Sequence, residues 1–167
     1  VRADAQENHE RVLRVAARAF ERDGTDASLK AIAREAGVGI GTVYRRFPTR
    51  EALVEAVYRQ EVDRLCAAAA DLSLREWMER FVDFMATKRG LISKLLTSEE
   101  EKQQTRDQLR TAIAALLATD NDVRPEIDPN DLLMSLGGIT LIAAEEHQRD
   151  LASRLLDLLM DGIRPRN

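Results

Sequence analysis

The side chains best suited to chemistry lie in one short run, Gly39-Ile40-Gly41-Thr42-Val43-Tyr44-Arg45-Arg46-Phe47. Two hydroxyls and two guanidinium groups fall within two helical turns, with no nucleophile, base or metal-ligand set among them. These types suit recognition rather than catalysis. The forks of Arg45 and Arg46 match a guanine edge or a phosphate, and Thr42 can bond either. Tyr44 carries a hydroxyl suited to phosphate. Ile40 is apolar at the start of a polar turn, where contact with a thymine methyl accounts for it. Val43 and Phe47, at i and i+4, lie on the opposite side and are expected to anchor the segment. Gly37, Gly39 and Gly41 permit a tight turn, and a missing side chain lets a backbone approach DNA closely. Ser28 and Lys30 upstream, and Thr49 and Arg50 downstream, place hydroxyls and cations where phosphate oxygens would flank the run.

Such a run needs a helix to carry it and a second helix to brace it. Ser28 is an N-cap for a helix over about 29–36, with Leu29, Ile32 and Ala33 as its buried stripe and Gly37 as its stop. The turn Val38–Gly41 leads into a helix over about 40–47, closed by Pro48 because the residue before a proline disfavours helix. Upstream, a helix over about 8–23 turns Val12, Leu13, Ala16, Ala17 and Phe20 inward and stops at Gly24. Residues 1–7 read as a loose arm. Thr49 caps a longer helix over about 50–71.

The stretch ASLKAIAREAGVGIGTVYRRFPTREALVEAVY resembles the N-terminal domain of the TetR family of bacterial transcriptional regulators. Ile32-Ala33, Ala36-Gly37-Val38, Gly41-Thr42, Tyr44, Phe47 and Leu53 match the family's pattern. Gly39 stands where serine is frequent, Arg46 where histidine is frequent and Arg50 where lysine is frequent. The specific motif covers about the first third of the chain; the rest is matched by helix count and order. The resemblance implies a double-stranded DNA operator as partner, a homodimer, and an effector pocket in the C-terminal body.

The body reads as further helices. Ser73–Glu76 and Ser98–Glu101 are capping boxes, opening helices over about 74–89 and 99–118. Gly90 is expected to stop the former, with a short helix over about 91–96 after it. A loop covers 119–127, and Asp128-Pro129 opens a helix over about 129–149, followed by one over about 150–163. The expected fold is all-α, about nine helices: residues 1–49 a helix-turn-helix DNA-binding domain, 50–72 a connecting helix, 73–167 a ligand-binding and dimerisation domain. The last two helices are apolar on more than one side and so must bury more than one side. Leu136, Ile142, Leu151, Leu155, Leu158 and Leu159 are expected at a dimer interface. Gly137-Gly138 costs about 1 kcal/mol per glycine within a helix, which close helix approach or a pocket wall would explain. By the resemblance, Trp77, Phe81, Phe84, Met85, Met134 and Ile139 are candidates to line a pocket for a largely apolar or aromatic ligand.

Charge is divided along the chain. Residues 1–50 carry ten Lys and Arg against seven Asp and Glu; the remainder carries fifteen against twenty-two, giving the net −4. A basic head on an acidic body fits one end that faces phosphate and one that avoids it. Cys66 is the only cysteine, so no internal disulfide forms; it reads as a small buried thiol. The longest uncharged apolar run, 132–144, is shorter than the roughly 20 residues a bilayer requires. No signal peptide is visible, a cytoplasmic location is expected, and the start at Val1 leaves room for a longer natural N-terminus. His9 and His147 lie far apart, with no metal spacing around them, and no phosphate loop or nucleophile-base set occurs. The expectation is therefore a non-enzymatic, cofactor-free regulator, most simply a repressor released by a small molecule. The alternative is a dimeric helical small-molecule-binding protein that keeps the head only as structure.

Overall fold

The structure is a computed structural model that describes residues 2–95, 98–142 and 148–166. The described residues form eight α-helices and one 3-10 turn, with no strand among them. They are α1 (Arg2–Asp23), α2 (Leu29–Glu35), α3 (Ile40–Arg46), α4 (Arg50–Ala67), the 3-10 turn Ala68–Ala70, α5 (Leu74–Ile92), α6 (Glu99–Thr119), α7 (Pro129–Ile142) and α8 (Arg149–Ile163).

Local chemistry sets most boundaries. Gly24 and Gly37 hold φ of 77° and 69°, a left-handed backbone that a β-carbon would strain, and they stop α1 and α2. The Ala31 N–H donates to Ser28 Oγ at 3.2 Å, and the Ala52 N–H to Thr49 Oγ1 at 3.1 Å. In both capping boxes the serine N–H donates to the glutamate at 2.8 Å, and the hydroxyl accepts from the glutamate's own N–H.

Three expectations change. Residues 2–7 are helical rather than loose: Asp4 sits in the first turn and Gln6 donates to Glu10 one turn on. The 50–71 helix tightens after Ala67 into the 3-10 turn. Gly90 does not stop α5, which runs on to Ile92 and replaces the separate 91–96 helix. Its extension is held by tertiary packing, because Leu91 is buried among core residues of α1 to α4. Leu96, Ala143 and His147 lie outside the described residues.

Contacts divide the chain into two compact units, Val1–Glu61 with Thr87–Leu96, and Val62–Ala86 with Thr97–Asn167. Both α4 and α5 contribute to each. The first unit is built on Val12, Ala16, Phe20, Ile32, Val43, Phe47, Leu53 and Val57. Helix α3 has seven residues, too few to persist alone in water. Val43 (1% exposed) and Phe47 (5%) hold it, each burial contributing about 1.5–3 kcal/mol.

In the second unit Trp77, Met78, Ile113, Leu116, Leu132, Leu136 and Leu156 are fully buried. The Trp77 indole N–H donates to the Leu65 carbonyl at 2.8 Å, so its one polar atom is satisfied. Arg75 ties α5 to α8 through Asp157 (3.0 Å) and Ser153 Oγ (3.1 Å).

Candidate nucleic-acid interface

The turn between α2 and α3 closes by backbone bonds. The Gly37 N–H donates to Arg34 O (3.1 Å), Val38 N–H to Ala33 O (3.0 Å) and Thr42 N–H to Gly39 O (2.9 Å). Of the three glycines expected to shape it, only Gly37 has positive φ. A β-carbon on Gly41 would meet nothing within 4 Å, and one on Gly39 only Thr42 Oγ1 at 4.0 Å.

Anchoring Val43 and Phe47 turns the other side of α3 outward. Tyr44 is 49% exposed, Arg45 and Arg46 are exposed, and Ile40 and Thr42 are half-buried. Arg45 Nε donates to Gly41 O one turn back at 3.3 Å. Ser28, Lys30 and Thr49 are exposed on the flanks. The Ser28 and Thr49 hydroxyls act as acceptors toward their helices, so each retains an O–H to donate outward. Arg50 differs from its expected use: its Nη1 donates to Thr25 O at 3.0 Å and Ala27 O at 2.5 Å, bracing the loop before α2.

Sequence reading missed two supports. Arg11 Nε donates to Ala36 O at 2.8 Å, so α1 caps the end of α2, and its Nη2 bonds Asn8 Oδ1. Lys88, 3% exposed, pairs with Glu21 and lies 3.9 Å from Glu61. Spacings of 25 and 67 residues carry no local signal that could have revealed either pair.

Residue by residue, the expected pocket set separates. Trp77 and Phe81 stack 5.7 Å apart within the packed core, Phe84 and Ile139 are buried, and Met85 is half-buried. Met134 is 66% exposed. An open cavity of about 650 Å³ in the second unit is lined instead by Cys66, Ala69, Leu72, Gln108, Thr111 and Ala115, among others. Burial pushes the Cys66 thiol up to about 11, with Asp63 adding to the shift.

The expected dimer set also divides. Leu136 is fully buried within its own unit. Ile142 (49%) and Leu158 (66%) are exposed, Leu151, Leu155 and Leu159 half-buried. Leu141 on α7, not expected there, is 76% exposed. Among the described residues, a β-carbon on Gly137 or Gly138 would meet nothing within 4 Å.

Comparison with known proteins settles the family. Residues 12–57 match the family described as bacterial regulatory proteins, tetR family, and residues 69–165 match the C-terminal domain of SbtR-like transcriptional regulators. The chain belongs to the TetR family. A TetR transcriptional regulator from Streptomyces coelicolor is 41% identical, with a TM-score of 0.79 over 95% of this chain and 99% of that one. The TetR transcription regulatory protein from Mycobacterium vanbaalenii is 30% identical, with a TM-score of 0.74 over 98% and 99%. An HTH-type transcriptional regulator of Staphylococcus aureus (strain USA300) is 36% identical over 64 residues, 38% of this chain and 35% of that protein. The curated match thus spans about a third of the relative's length. This TetR-family chain is a transcriptional regulator by membership, and among its described residues no helix is long and apolar enough to cross a membrane.

Proposed function

We propose that the chain is a cytoplasmic homodimeric repressor that binds a palindromic operator and is released by an apolar or aromatic small molecule, with no enzymatic activity. The observation that carries the reading is the outward side of α3: Tyr44, Arg45 and Arg46 project to solvent from a helix anchored behind by Val43 and Phe47. In this reading Ile40, Thr42, Tyr44, Arg45 and Arg46 meet base edges and adjacent phosphates. Ser28, Lys30 and Thr49 fix the register on phosphate, and Arg50 positions the flank. The free space at Gly39 and Gly41 admits the DNA backbone. Residues 1–49 act as the DNA-binding domain, 50–72 as the connecting helix and 73–167 as the ligand-binding and dimerisation domain.

Exposed Met134, Leu141 and Ile142 on α7, and Leu158 on α8, supply apolar surface for a second copy. Leu151, Leu155 and Leu159 flank it, and Gly137-Gly138 lets partner helices approach. A twofold pair would set two α3 helices about 34–36 Å apart, one turn of DNA. The effector enters the cavity bordered by Cys66, Leu72 and Gln108. In this reading Trp77, Phe81, Phe84, Met85 and Ile139 supply the apolar side chains that rearrange around it. Because α4 and α5 are shared by both units, an effector that favours one placement of these helices biases the reader.

Selection of bound sequences from random duplex DNA tests the reading. The expected product is an inverted repeat, bound with a steep salt dependence. Tyr44→Ala and Arg45→Ala should each weaken binding by about 1–3 kcal/mol without unfolding. Variants that bind like the parent would refute the site.

A further inference from the structure

The first unit holds a second cavity, of about 390 Å³, between the N-terminal half of α1 and the outward helix α3. Its floor is apolar: Val12, Val43, Phe47 and the ring of His9, which stacks on Phe47 at 5.3 Å. Its rim is cationic, formed by Arg45 and Arg46, and no acidic residue is among the lining. Polar capacity is left over. His9 Nδ1 is buried without a hydrogen-bond partner. Asn8 accepts from Arg11 through Oδ1, which leaves its amide N–H groups to donate. Burial, then Arg46, lowers the His9 pKa against an opposing effect of Glu10, so near neutral pH the ring is uncharged and the positive charge is that of the arginines. The volume lies at the small end of ligand pockets, and a few placed polar groups over an apolar floor are what such pockets use.

We propose that this cavity binds a small aromatic carboxylate, its ring beside His9 and Phe47 and its carboxylate on Arg46 and Arg45. The site lies in the reader itself, apart from the effector cavity of the second unit. A bound acid covers Thr42, Arg45 and Arg46, and therefore competes with DNA directly. That consequence rests on the DNA-reading assignment of α3; the binding itself does not.

Titration of the full chain with 1-naphthoate, without DNA, tests the site, using calorimetry and NMR shifts of the His9 and Phe47 rings. Expected are shifts at both rings, and binding at least about tenfold tighter than neutral 1-naphthalenemethanol, the worth of one charge-assisted hydrogen bond. Arg46→Gln should weaken naphthoate about tenfold. Ala5→Phe, on an exposed helical rim position, should block it while circular dichroism is unchanged. Equal affinity for acid and alcohol, or undiminished binding by Ala5→Phe, would overturn the proposal. Saturating naphthoate should also weaken binding to the selected duplex at least tenfold, and unchanged DNA affinity would overturn the competition. If naphthoate binds but no duplex does, the DNA reading has failed and the pocket stands.

Discussion

Arg50 separates two accounts of the interface. The sequence places it as a phosphate contact; the structure gives its Nη1 to the carbonyls of Thr25 and Ala27, at 3.0 and 2.5 Å. A hydrogen bond from a charged donor contributes about 1.5–3 kcal/mol net. One nitrogen serves both acceptors and the side chain is only half-buried, so the pair together is worth about 2 kcal/mol. Arg50→Gln should therefore lower the melting temperature by about 4–8 °C for a chain of this size. Arg50→Lys, with a point charge in place of a fork, should restore little of it. Fluorescence anisotropy across a salt series, on the selected duplex, supplies the second readout. A lost phosphate contact reduces the salt slope by about one, whereas a lost brace leaves the slope intact. Unchanged melting together with a shallower slope in Arg50→Gln, and full recovery in Arg50→Lys, would refute the bracing role.

Leu141→Glu with Leu158→Glu puts charge on the exposed apolar surface, and sedimentation should show monomers that keep their helicity but lose the selected duplex. The Glu76 carboxyl is held below its ordinary 4.5 by hydrogen bonds from the Ser73 hydroxyl and N–H, and Glu99 by Lys102. Because the folded values are depressed, their contribution is present above 4.5 and fades as pH falls through the folded value. The acid limb of a melting-temperature profile should therefore flatten in Glu76→Gln. The Cys66 thiol, pushed up to about 11 by burial, is ionised to about one part in a thousand at pH 8. Alkylation by iodoacetamide should be far slower than for a free thiol, and slower again with an effector in its cavity.

Features whose cause is local were legible in the sequence. The caps at Ser28, Thr49, Ser73 and Ser98, and the stops at Gly24 and Gly37, each need only residues within four positions. The anchoring of α3 was legible too, because Val43 and Phe47 must share a side. Gly90 misled because glycine weakens a helix only locally, and Leu91 is held by distant packing. Helix α7 is apolar on several sides, so the pattern could not tell Leu136, turned into the core, from Met134 or Leu141, turned out. Arg11, Lys88 and the cavity at His9 depend on residues brought together only by the fold.

The return of Thr87–Leu96 to the first unit after an excursion through Val62–Ala86 makes the head discontinuous in the gene's order. A fragment cut after Glu61 would lack Leu91 from its core and leave Glu21 without its buried lysine. A hybrid regulator that receives the whole first unit must therefore carry two separate segments of the donor chain.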